Sequence, residues 1–198
     1  MPWGWSSSCS RHGPTAVRSR IEPMTRSVGL IGVGLVGTAL AERFLAASWR
    51  VTGFDIQPER RDALRDLGGD AAPTIDEVFA TADTVVLSLP TSAIAAAVIG
   101  GVTAPLAGKV IIDTTTGEPE EMVALGQRLA ERGANYLDAT ISGSSTQIRS
   151  GEVIVTVGGD AATVANCDAV LRAFAARVFH VGGLGAGARM KLVVNLAL

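Results

Sequence analysis

The chain has 198 residues, 47% hydrophobic and 18% charged, which is enough apolar content for the core of one domain or slightly more. Its net charge is -2 and it contains no run of five or more basic residues, so neither nucleic acid nor a membrane surface is expected as a partner. Cys9 and Cys167 lie far apart without CxxC or Cys/His spacing, so no metal site and no disulfide framework is expected, and a reducing cytoplasmic compartment fits best.

Residues 1–25 are rich in Ser, Pro, Gly and Arg, lack apolar periodicity and read as a disordered extension. Pro2, Gly4, Gly13 and Pro14 interrupt any amphipathic helix there, which argues against a transit peptide. From Ser27 onward, short β-branched runs alternate with helical segments. Strands are expected at 27–32, 50–55, 84–89, 109–113, 135–139, 152–158 and 177–182. Pro58 and Pro119 suit first helical turns, Thr74 with Glu77 suits a capping box, and Glu120 and Glu121 suit a helix start. The longest apolar stretch, SAIAAAVIGGV, is too short and too broken by glycine to span a bilayer. This cadence predicts an α/β fold, a doubly wound and mostly parallel sheet with right-handed crossovers.

The sharpest local motif lies between the first two strands. Gly32, Gly34 and Gly37 form G-x-G-x-x-G directly after the first strand and at the start of a helix. In this spacing the first glycine permits the tight turn, the second lets a pyrophosphate approach the backbone, and the third lets helix pack against strand. The segment Gly32, Val33, Gly34, Leu35, Val36 and Gly37 is therefore the expected phosphate-contacting stretch of a Rossmann-type domain, its helix N-terminus supplying free N–H donors. Asp55 ends the second strand, 23 residues after Gly32, where a carboxylate can accept hydrogen bonds from ribose hydroxyls. A carboxylate there repels a 2′-phosphate, so NAD is favoured as cofactor, with NADP as the other candidate. The competing reading of Asp55 is a helix cap before Pro58, and Arg60 and Arg61, which are near enough to reach a phosphate, read as solvated charges on the helix beginning at Pro58.

Further blocks follow in a recognisable order: LSLPTSA (87–93), DTTTGEPE (113–120), LDATISGSSTQIRSGE (137–152) and GLGAGARMKLVVN (183–195). Together with the glycine motif they resemble the β-hydroxyacid dehydrogenases, the group that includes 3-hydroxyisobutyrate dehydrogenase, tartronate semialdehyde reductase and 6-phosphogluconate dehydrogenase. The resemblance implies that Leu89, Pro90 and Thr115 line the cofactor and that Ser142, Gly143 and Ser144 bind the substrate carboxylate. It also implies that Lys191 is the acid/base group and Asn195 its partner. Glycine-rich turns expose amides to anions, and residues i and i+4 of a helix share one face, so both assignments have a physical basis. Lys191 is one of only two lysines, the other basic residues being Arg, which argues against a generic solvated position.

Three positions depart from the family's pattern: Thr140 replaces a usual Pro, Ser144 and Ser145 follow Gly143 where a second glycine is usual, and Val194 replaces the first of two asparagines. A smaller and more polar substrate pocket is expected from the first two. The resemblance divides the chain into a dinucleotide-binding domain at 26–184 and the start of an interdomain helix at 185–198. In the family a helical domain follows that helix, closes the site and mediates dimerisation, so a homo-oligomer is expected of a full-length form. Here Leu192, Val193, Val194, Leu196 and Leu198 are expected to lack that cover, as in a truncated gene product or a fragment. The leading expectation is an oxidoreductase moving a hydride between NAD and a small β-hydroxy acid. A cofactor-binding module with little turnover is the alternative, and an imine reductase-like enzyme ranks third.

Overall fold

The computed structural model describes residue 1 and residues 26–197. The expected disordered extension, at residues 2–25, lies outside the described residues, as does Leu198. The strands are β1 (Ser27–Ile31), β2 (Arg50–Phe54), β3 (Asp70–Ala71), β4 (Thr84–Leu87), β5 (Val110–Asp113), β6 (Asn135–Ser142), β7 (Val153–Gly158) and β8 (Ala175–Gly182). They form one sheet in the order β3-β2-β1-β4-β5-β6-β7-β8, and only the β6–β7 pair is antiparallel. The helices are α1 (Leu35–Ala46), α2 (Pro58–Asp66), α3 (Ile75–Thr81), α4 (Ser92–Gly100), α5 (Pro119–Glu131), α6 (Ser145–Ser150), α7 (Ala161–Asn166), α8 (Asp168–Phe174) and α9 (Ala186–Ala197). The fold is the expected Rossmann-type α/β arrangement.

The central strands are apolar on both faces because both are covered. Val28, Leu30, Val86 and Ile112 pack with Leu40, Phe44, Leu171 and Phe174 on one side, while Val85, Leu87 and Ile111 pack with Phe79, Met122, Leu125 and Leu129 on the other. Pro58 and Pro119 open α2 and α5 as expected. Thr74 caps α3 by accepting the Glu77 N–H.

Three elements differ from expectation. β3 was not expected, since two residues carry no periodicity, and it exists through its pairing with Thr52 and Gly53 of β2. β6 runs to Ser142 because its antiparallel ladder with β7 continues as far as the Ser142–Ile154 pair. The anticipated Gly/Ser turn is accordingly short, and Ser144 already caps α6. Its hydroxyl accepts the Gln147 N–H while the Gln147 side chain accepts the Ser144 N–H, a capping box that the S-x-x-Q spacing encodes.

Phe44 is fully buried, with ring centroids 6.1 Å from Trp49 and 5.7 Å from Phe174, both edge-on. Truncation leaves a cavity that α1 and α8 cannot close without moving the sheet. Phe44→Ala is expected to lower stability by about 3–5 kcal/mol in urea unfolding. A loss below about 1 kcal/mol would place the stabilising core elsewhere.

Candidate cofactor and substrate site

The strand order reverses between β1 and β4, and the loops leaving the C-terminal ends of these two strands open a cleft of about 600 Å³. Gly32 follows β1 at φ +92°, and a Cβ at Gly37 would lie 1.9 Å from the Gly32 carbonyl oxygen, so turn and helix fit only with glycine at both positions. Gly34 differs: a Cβ there would meet only the Arg60 guanidinium, at 3.3 Å. Gly34 is the N-cap of α1, with no side-chain cap and no acidic residue in the first turn, and Leu35 is 72% exposed. The first-turn N–H groups thus face a cleft whose wall a side chain at residue 34 would fill, the cradle a pyrophosphate requires. These residues fit a dinucleotide.

Asp55 does not cap α2, since Gln57 holds that position. Its buried carboxylate accepts the Val33 N–H at 2.8 Å through Oδ2 and the Gln57 N–H at 2.9 Å through Oδ1. Val33 itself is buried, so its backbone braces the glycine turn against Asp55. Arg60 and Arg61, read from sequence as solvated charges, are engaged here. Arg60 reaches Asp55 Oδ2 at 3.5 Å, and Arg61 donates to the Asp55 backbone carbonyl at 2.6 Å while lying over the Phe54 ring.

The opposite wall comes from the loops after β4 and β5. Ser88 N–H bonds the Ile31 carbonyl, and Leu89 and Pro90 line the cleft beside Val36 and Leu35. Thr115 is buried behind the wall, where its hydroxyl accepts the Leu89 N–H at 3.4 Å, while Thr114 and Thr116 face the cleft. Ser92 joins the two loops by donating to Glu121 at 2.5 Å and accepting the Glu118 N–H at 3.1 Å.

Lys191, on α9, donates from Nζ to the Ile141 carbonyl at 2.9 Å, which sets it against the Ser142–Gly143 turn. Asn195 lies one helical turn further on and is exposed. The Ser144 N–H and hydroxyl oxygen are both engaged by Gln147. None of residues 142–144, 191 or 195 is part of the cofactor cleft wall. Thr140 does not contribute the expected pocket polarity: it is fully buried, bonded to Thr156 Oγ1 at 2.8 Å and donating to the Gly187 carbonyl at 3.1 Å, and so ties β6 to α9.

Two aspartates that sequence reading left without a role organise this half. Asp138 accepts the Gly185 N–H at 2.8 Å and the Ala188 N–H at 2.9 Å, capping α9 from the neighbouring strand. Asp113, its register partner on β5, accepts the Thr115 N–H at 2.9 Å and the Tyr136 hydroxyl at 2.8 Å. Burial pushes both carboxyls above their ordinary value, against the pull of these donors. Burial, with the Asp113 charge beside it, pushes the Tyr136 phenol well up. Their signal in the sequence was an acidic residue directly after an apolar pair in each of two strand runs, Asp113 in KVIID and Asp138 in NYLDA.

A sheet that reverses over a glycine turn, with a carboxylate closing the next strand, defines a dinucleotide-binding domain. The model of the NAD binding domain of 6-phosphogluconate dehydrogenase matches residues 27–182, and the chain belongs to that family. L-threonate dehydrogenase of Cupriavidus necator is 34% identical over 179 residues, covering 87% of this chain and 60% of that protein. 2-(Hydroxymethyl)glutarate dehydrogenase of Eubacterium barkeri is 31% identical over 175 residues, covering 86% of this chain and 58% of that protein. Mycobacterium tuberculosis 3-hydroxyisobutyrate dehydrogenase, solved with L-serine, superposes with a TM-score of 0.84 at 26% identity, covering 88% of this chain and 60% of that one. The chain thus spans about three fifths of the length of these relatives. They place it in an NAD(P)-binding oxidoreductase family of the β-hydroxyacid dehydrogenase type. No helix among the described residues is long and apolar enough to cross a membrane.

Two substitutions separate the halves of the site. Gly34→Val puts two methyl groups into the cleft, so NADH affinity is expected to fall at least tenfold by fluorescence titration with little change in the melting temperature; unchanged affinity would reduce the glycines to a turn. Asp138→Asn leaves one acceptor oxygen for the two N–H groups at the start of α9. A loss of about 1–3 kcal/mol in stability is expected, with faster amide exchange in residues 186–197 and NADH affinity within twofold of the parent.

Proposed function

We propose that this chain forms the cofactor-binding part and the acid/base centre of an enzyme that transfers a hydride between NAD and a small β-hydroxy acid of the 3-hydroxyisobutyrate type. The observation that carries the reading is Lys191 Nζ at 2.9 Å from the carbonyl of Ile141, the residue before Ser142 and Gly143 at the end of β6. The names of the relatives, dehydrogenases of hydroxy acids, support the same substrate class. When bound, the nicotinamide supplies a two-electron hydride acceptor. The chain's residues do the rest. The Ser142 hydroxyl and the Gly143 N–H receive the carboxylate, since Ser144 is engaged in its capping box. Lys191 Nζ, as the neutral amine, takes the hydroxyl proton as the hydride leaves carbon, and the resulting ammonium returns it in the reverse direction, while Asn195 orients the hydroxyl.

NAD is the proposed cofactor because Asp55 stands at the end of β2, where its carboxylate meets ribose hydroxyls and opposes a 2′-phosphate. The proposed setting is a cytoplasmic homo-oligomer, supported by the exposed Leu192, Val193 and Leu196 on α9 and by Cys167, a buried free thiol. NADH titration followed by a β-hydroxy acid panel tests the reading, and binding without turnover on any acid would select a cofactor-binding module instead. In a form that turns over, Lys191→Ala is expected to lower kcat by about 100- to 10,000-fold and leave NADH affinity within twofold. A kcat within threefold of the parent would remove Lys191 from the chemistry.

A further inference from the structure

The buried hydroxyl of Thr140 lies among three oxygens: Thr156 Oγ1 at 2.8 Å, the Gly187 carbonyl at 3.1 Å and the Thr156 carbonyl at 3.5 Å. It has one proton to give. Directed at Thr156, that proton would leave two bare oxygens facing each other across 3.1 Å in a site closed to water. Counting donors therefore fixes the direction: Thr156 donates to Thr140, and Thr140 donates to Gly187. Gly187 is the second residue of α9, and in α-helical geometry its carbonyl also accepts the N–H of Lys191, four residues on. One oxygen thus joins Thr140 to the backbone of Lys191. The lysine side chain returns to the same strand, where Nζ donates at 2.9 Å to the carbonyl of Ile141, the residue after Thr140. The result is a closed ring in which β6 holds Lys191 by its backbone and by its ammonium-bearing end.

The contact is close because α9 rests on the strands through its own backbone. A Cβ at Gly187 would come within 2.5 Å of the Asp138 carbonyl oxygen and 2.8 Å of the Thr156 carbonyl oxygen. Asp138 and Thr140 stand two apart on β6 and so face α9 together, but they hold it differently. Asp138 accepts N–H groups at the helix end, which sets where the helix starts. Thr140 holds a carbonyl on the helix flank one turn before Lys191, which sets rotation about the helix axis and with it the height of Nζ over the strand.

We propose that Thr140 is a positioning residue for Lys191, its single hydroxyl proton fixing the turn of α9 from which the lysine reaches the end of β6. The inference rests on the acid/base reading of Lys191. Thr156 is a supporting donor only, and its loss leaves the Thr140–Gly187 bond in place. Misplacing a reacting group by about 1 Å can lower a rate about a hundredfold, so one hydroxyl suffices to matter here.

The chain has two lysines, so protein labelled with 13Cε-lysine gives one NMR signal set for Lys191 and one for Lys109, which Asp83 and the Ala82 carbonyl hold and which serves as internal reference. The two ε-methylene protons of a lysine are inequivalent while its side chain is held and merge when it turns freely. Thr140→Val and Thr156→Val both delete the Thr140–Thr156 bond, but only the first deletes the bond to Gly187. Thr140→Val is expected to merge the Lys191 pair and to speed exchange of the Lys191 amide roughly tenfold, whereas Thr156→Val keeps the pair resolved and exchange within about twofold of the parent. Thr140→Ser is expected to restore the parent pattern, and Thr140→Ala repeats the measurement where valine is not accommodated. On a hydroxy acid that is turned over, Thr140→Val is expected to lower kcat about ten- to a hundredfold with NADH affinity within about twofold, and Thr156→Val to leave kcat within about threefold. An equal response to the two valine variants, or a Lys191 pair already merged in the parent or still resolved without the Thr140 hydroxyl, would overturn the proposal. A Lys191 freed by Thr140→Val in a protein whose kcat survives Lys191→Ala would instead overturn the acid/base reading.

Discussion

Burying a carboxylate is expensive unless donors meet it, and the loops of this site are organised around three such carboxylates at the C-terminal edge of the sheet. Asp55 after β2, Asp113 on β5 and Asp138 on β6 are each nearly or fully buried, Asp55 and Asp138 each accepting two backbone N–H groups and Asp113 the Thr115 N–H and the Tyr136 hydroxyl. A side chain that must find backbone donors fixes the path of the segment that supplies them. Asp55 holds the glycine turn, Asp113 holds the Thr114–Thr116 loop, and Asp138 holds the start of the helix carrying Lys191. Removing any one of them frees a loop and strands its donors together.

The constraint also links the halves of the site. The Leu89 N–H bonds Thr115, the Thr115 N–H bonds Asp113, and Asp113 stands in register with Asp138, which caps α9. A continuous series of hydrogen bonds and strand pairing thus runs from the cofactor cleft to Lys191. A second brace joins α6 to α1 through the Arg149–Glu42 ion pair at 2.6 Å, so the helix after the Ser142 turn rests on the helix that begins at the glycine turn. Catalytic geometry assembled from several loops depends on supports of this kind.

The fold was legible because its signals are local. Strand runs such as TVVLSL and KVIID, the prolines opening α2 and α5, and the glycine spacing all act within a few residues, and they place seven of the eight strands. β3 escaped because two residues have no period, and its ladder exists only because β2 presents a partner. β6 runs past its expected end because its length depends on antiparallel pairing with β7, whereas the start of α6 is encoded locally in Ser144 and Gln147.

Sequence by itself determined the alternation of strands and helices, the glycine turn, the carboxylate after β2 and the presence of Lys191 one helical turn from Asn195. Each follows from spacing along the chain, and spacing maps directly onto local backbone geometry. Tertiary structure alone decided what those residues face. Asp138 meets N–H groups 47 and 50 residues away, Thr140 turns from the expected pocket to a carbonyl of α9, and Arg60 folds back over Gly34. Such encounters leave no periodic trace, because they arise where strands far apart in sequence end side by side and their buried polar groups must find partners.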